Sequence, residues 1–194
     1  MAKDGLILGN FPNVRARMQR YADAKCFSAW VISLDERCVV VEVAALEGLD
    51  VGETFLFQIS GLDACATFQA ELKRMEGPNL GFQILTPIQM RPPYEDARIR
   101  QDLAGTVRVG DEVFPVCVED VSAGGMGLLS EQPLDRWRTV TVLVKTVYGG
   151  ASIEGQVRYC KAVENGKWRF RIGLSAPDMR ASLPLFGVRV PRAA

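Results

Sequence analysis

The chain has 194 residues, 48% hydrophobic and 24% charged, the balance of an ordinary folded protein with room for one large domain or two small ones. Lysine and arginine number 23, as do aspartate and glutamate, so no whole-molecule field draws in DNA or RNA, although a local cation cluster can still hold a nucleotide. Histidine is absent, which removes the commonest general base and the commonest metal ligand.

Short runs of β-branched and aromatic residues, bounded by Gly, Asp, Asn and Pro, dominate the pattern. A short helix is expected at 14–22, followed by strands at 27–33, 38–44, 54–59, 65–75 and 80–84. Then comes Pro87-Ile-Gln-Met-Arg91-Pro92-Pro93-Tyr94, whose paired prolines cannot continue a sheet interior. Further strands are expected at 104–109, 112–121, 125–129, 139–147, 151–160 and 168–174, and a second short helix at 178–183, stopped by Pro184. Asn165-Gly166 reads as a two-residue hairpin turn, since both residues accept positive φ.

The fold class expected is all-β. Two small antiparallel β-barrels, residues 1–87 and 95–194, are joined by a Pro-rich linker at 88–94, with little helix. The halves share a rhythm. Trp30-Val-Ile-Ser-Leu-Asp35 parallels Val118-Glu-Asp-Val-Ser-Ala123, and the strand entry at Val51–Phe57 parallels that at Trp137–Leu143, as in two divergent copies of one barrel.

Cys26, Cys38, Cys65, Cys117 and Cys160 are spread singly and are expected to be reduced. No run approaches the roughly 18 apolar residues of a membrane-spanning helix, and the apolar stretch at Leu6-Ile7-Leu8 is too short for a leader core. A cytoplasmic protein without membrane insertion is expected. No metal-ligand spacing, nucleophile–base set or carboxylate pair stands out, so neither a metal, a cofactor nor catalysis is expected.

The most informative stretch is Asp120-Val-Ser122-Ala-Gly124-Gly125, in which a strand runs into a turn and a new strand begins. Asp and Ser side chains bond to nearby backbone and fix a bend. Glycines let backbone amides approach a ligand closely. An ionised Asp is an acceptor-only group and suits a guanine edge. Upstream stand Arg91, Arg98 and Arg100, whose forks pair with phosphate oxygens and stack on flat bases; a solvated charged linker is the plainer reading of the same residues.

The stretch 91–176 resembles the PilZ domain family. The family pattern is Arg-x-x-x-Arg just before the barrel, then Asp/Asn-x-Ser-x-x-Gly at the end of an early strand. Asp120-Val-Ser122-Ala-Gly-Gly125 fits the second motif, Arg98 looks like the second arginine of the first, and Trp168-Arg-Phe-Arg-Ile-Gly173-Leu resembles the family's late glycine-containing strand. Tyr94 stands where the first arginine is wanted. The first half is similar to the PilZ-related N-terminal barrel of flagellar-brake proteins.

The resemblance implies a non-enzymatic receptor for cyclic di-GMP. Arg91, Arg98 and Arg100 would wrap the ligand against the face bearing Asp120, Ser122, Gly124 and Gly125, changing the angle between the barrels. The altered surface would then engage a protein partner in flagellar, secretory or polysaccharide machinery. The alternative is a degenerate PilZ adaptor that binds a protein partner and no nucleotide.

Overall fold

A computed structural model describes residues 11, 13–61, 64–91, 97–165 and 167–188. The expected Pro92-Pro93-Tyr94 connector and Gly166 of the expected hairpin turn lie outside the described residues. The chain separates into two compact units between Ala97 and Arg98.

The first unit holds β1 (Arg15–Arg20), β2 (Cys26–Leu34), β3 (Cys38–Val43), β4 (Thr54–Ser60), β5 (Cys65–Glu76), β6 (Asn79–Ile84) and β7 (Gln89–Arg91). Because β4 pairs with both β1 and β5, six of these strands close into a ring, β1-β2-β3-β6-β5-β4. β7 lies outside that ring on β5, so residues 89–91, expected in the linker, extend the first sheet. The core is aromatic: Phe57 stacks on Phe68 at 5.2 Å and meets Phe82 edge-on at 4.9 Å, and Phe55 meets Phe82 edge-on at 5.5 Å.

The helix expected at 14–22 is instead strand β1. Val14, Ala16 and Met18 are buried and alternate with Arg15, Arg17 and Gln19, a period of two that only a strand can turn to one face.

The second unit holds β8 (Ile99–Val109), β9 (Glu112–Ser122), β10 (Gly125–Ser130), β11 (Thr139–Thr146), β12 (Gly149–Asn165) and β13 (Trp168–Ser175), closed as a barrel in the order β8-β9-β10-β13-β12-β11. Its core is mainly aliphatic, with Val107, Val118, Val121, Met126, Leu128, Val142, Val157 and Ile172 buried. The C-terminal helix is shorter than expected: α1 covers Met179–Ser182, and the chain continues through Pro184 as a 3-10 turn to Phe186. Pro184 sits at the start of that turn, where its missing N–H is not needed, and Gly187 ends it at φ 71°.

Numbered within each unit, both rings follow the same strand order, 1-2-3-6-5-4. The irregularities repeat as well. Ile32 bulges from β2 against β3 as Glu119 does from β9 against β10. Lys73 bulges from β5 against β6 as Arg158 does from β12 against β13. The register equates Ser33 with Asp120 and Gly81 with Gly173, one residue away from the parallel expected from sequence.

The same register places Trp137 where the first ring has Gly52. Gly52 N–H donates to the Leu72 carbonyl at 2.8 Å and Trp137 N–H to the Val157 carbonyl at 2.7 Å. Both have positive φ, 97° and 72°. The fold asks for a left-handed residue at this strand entry; glycine supplies it without strain and Trp137 does not. Trp137 lies beside two guanidiniums, Arg136 at 4.6 Å and Arg158 at 4.9 Å from its ring centroid.

Candidate ligand site on the second barrel

The Asp-x-Ser turn is the β9–β10 hairpin. Ser122 pairs with Gly125 across a two-residue turn, and the Ser122 hydroxyl donates to the Gly125 carbonyl at 3.4 Å, as expected for a serine that fixes a bend. Ser122 and Gly125 are buried, and Gly124 at the tip is exposed. A Cβ on Gly125 would lie 1.9 Å from the Leu174 carbonyl oxygen, so only glycine lets β10 close on β13 here.

Asp120 lies two residues before the turn, just past the Glu119 bulge. Met126, Leu128, Ile172 and Leu174 fill the core. Strand alternation therefore puts Gly127, Arg171 and Gly173 on the outer wall of β10 and β13. Asp120 faces Gly127, Gly127 faces Gly173, and Gly173 faces Tyr159, a row across four strands. A Cβ on Gly127 would come within 2.8 Å of the Asp120 carboxylate, and one on Gly173 within 2.2 Å of the Tyr159 ring. The two glycines make a saddle in which these side chains lie flat.

Asp120 is fully buried in that saddle, with an arginine on each carboxylate oxygen. Arg98 Nη1 donates to Oδ1 at 2.5 Å, and Arg171 Nη2 donates to Oδ2 at 2.6 Å. Arg171 also donates from Nε to Glu119 at 2.5 Å and from Nη1 to the Tyr159 hydroxyl at 2.8 Å. Burial by itself would lower the pKa of Arg171, but the Glu119 and Asp120 carboxylates outweigh it and the pKa is raised.

Of the residues expected in the site, Arg98, Asp120, Ser122, Gly124 and Gly125 all lie at or beside this corner. Arg100 is the cross-strand partner of Asp120 in β8 and its side chain pairs with Asp102. Arg91 belongs to the first unit, exposed at the end of β7 opposite Cys65. Sequence reasoning missed Arg171, Tyr159, Glu119, Gly127 and the role of Gly173. The readable signal was glycine inside strands, which marks a close approach. Ser175, which pairs with Gly125, lines a cavity of about 380 Å³ with Thr139, Gln156, Arg158, Pro177 and Asp178. Among the described residues no cluster of acidic or cysteine side chains could hold a metal, and no helix is long and apolar enough to cross a membrane.

The corresponding corner of the first ring has different chemistry. Ser33 takes the place of Asp120, and Asp35 accepts from Arg37 N–H at 2.6 Å, Cys38 N–H at 2.8 Å and the Cys38 thiol at 3.0 Å. That thiol bond is the main cause of a raised Cys38 pKa. Asp35→Ala is therefore expected to speed Cys38 alkylation several-fold at about pH 8 by releasing thiolate. Mass spectrometry with Cys26 as the internal reference reads the rate, and an unchanged rate would show that the bond does not restrain the thiol.

The second unit is thus a closed six-stranded antiparallel barrel with an arginine-capped Asp-x-Ser corner, whose polar groups sit on the wall and not in the core. The model of the PilZ domain family matches residues 94–183, which take in most of the second unit. Among solved structures, the chain is similar to the Bacillus subtilis inhibitor of motility (MotI/DgrA), at 11% identity and a TM-score of 0.42, over 91% of this chain and 94% of that one. It is similar to the K. pneumonia MrkH–c-di-GMP complex at 15% identity and 0.41, over 84% and 78%. Escherichia coli YcgR in complex with c-di-GMP gives 15% and 0.38, over 89% and 81%. No curated protein matches the sequence.

Proposed function

We propose that the chain is a cyclic di-GMP receptor that binds through its second barrel and passes the binding event to a protein partner. The observation that carries this reading is the ion pair at 2.5 Å between Arg98, which resembles the second arginine of the first PilZ motif, and Asp120, the acid of the second. Cyclic di-GMP brings two phosphate charges and two guanines, which suit a guanidinium fork and a carboxylate acceptor held at one place. The reading is of a binding module and not a catalyst. A partner in flagellar, secretory or polysaccharide machinery belongs to the same proposal.

One observation favours the second reading, an adaptor that binds no nucleotide: both Asp120 oxygens are already engaged, and Ser122 and Gly125 are buried. Calorimetric titration of the whole chain with cyclic di-GMP separates the two. Saturable heat with a Kd well below about 100 μM supports the receptor, and no heat up to that concentration overturns it in favour of the adaptor.

A further inference from the structure

The buried Asp120 carboxylate is shared by two arginines of unequal fixity. Arg171 donates to three acceptors, on Glu119, Asp120 and Tyr159, and its side chain is 16% exposed; that of Arg98 is 26% exposed and bonds Asp120 through one nitrogen. A buried carboxylate stripped of its cation is strongly destabilising, so an arginine that must leave it for a ligand phosphate cannot be its sole cation. We propose that Arg171 is the positioning residue of this site: it keeps Asp120 charge-compensated and aimed while Arg98 swings from the carboxylate to the nucleotide. This deepens the receptor reading and rests on it. Arg171 lies outside both PilZ motifs, on the late strand β13. The saddle at Gly127 and Gly173 gives Asp120 and Tyr159, two of its three partners, room to lie flat on the wall.

The sharing has a signature independent of ligand. Either arginine alone satisfies the acid, so thermal melting of Arg98→Met, Arg171→Met and the double variant should be non-additive, with the double losing more than the sum of the singles. Additive losses would overturn the proposal.

The ligand arm uses cyclic di-GMP calorimetry on the full chain. Arg171→Met is expected to weaken binding about fivefold, because Arg98 is then tied to Asp120, and Arg171→Lys, which keeps the charge but not the fork that reaches Glu119, Asp120 and Tyr159 together, by an intermediate amount of about two- to threefold. In an Asp120→Asn background, where the neutral amide needs no cation, adding Arg171→Met should change affinity by less than about twofold. An equal loss in both backgrounds would mean that Arg171 touches the ligand itself, and an unchanged affinity in Arg171→Met would mean that it does not position the acid; either result overturns the proposal. Failure of the wild-type chain to bind would sink the receptor reading instead, leaving the melting cycle to decide on Arg171.

Discussion

Gly125→Ala is expected to destabilise the second barrel by about 3 kcal/mol, the upper end of what overpacking costs. The new methyl would need to sit 1.9 Å from the Leu174 carbonyl oxygen. That oxygen is main chain in a paired strand, so it cannot rotate aside as a side chain would; β10 and β13 must part. The neighbouring position supplies the control. Nothing lies within 4 Å of a Cβ on Gly124, and Gly124→Ala should leave stability within about 0.5 kcal/mol of wild type. Urea denaturation midpoints compare the two. Equal midpoints would show that the barrel relaxes around Gly125 without loss.

Arg98→Ala is expected to weaken cyclic di-GMP binding between about tenfold and a hundredfold, the loss of one charge-assisted contact of about 1.5–3 kcal/mol. The fold should survive, because Asp120 retains Arg171 at 2.6 Å. The free protein adds an opposing effect: Arg98 is docked on Asp120 before ligand arrives, and part of its contact energy is spent in leaving that pair. Arg98→Lys should therefore fall short of wild type even with its charge intact, since an ammonium lacks the planar fork. Calorimetry on both variants reads this, and wild-type affinity in Arg98→Ala would remove the residue from the site.

The architecture was legible because its signals are local. Alternating β-branched runs and Gly- or Asn-rich turns placed most strands, and the shared rhythm of the two halves came within one residue of the matching register of the two rings. The first strand was misread because Val14–Arg20 is short and rich in helix-forming residues, and its alternation was the deciding feature. The motif residues Asp120, Ser122 and Gly125 could be read from spacing, since one hairpin holds all three. Arg171 could not. It meets Asp120 from 51 residues away, across β10, in a register set by the β9–β10 hairpin and the β10–β13 pairing, which leaves no composition signal. A one-residue slip would turn Arg171 to the opposite face of the sheet.

β7 has a mechanical consequence. Its three residues are all exposed and hold to β5 through the pairs Arg91–Cys65, Met90–Ala66 and Thr67–Gln89, outside the closed ring. Peeling it away costs a few ladder bonds and no core packing, so it can open while the ring stays closed. Detached, its three residues would free about 10 Å of extended chain at the end of the first unit, slack released without unravelling the ring.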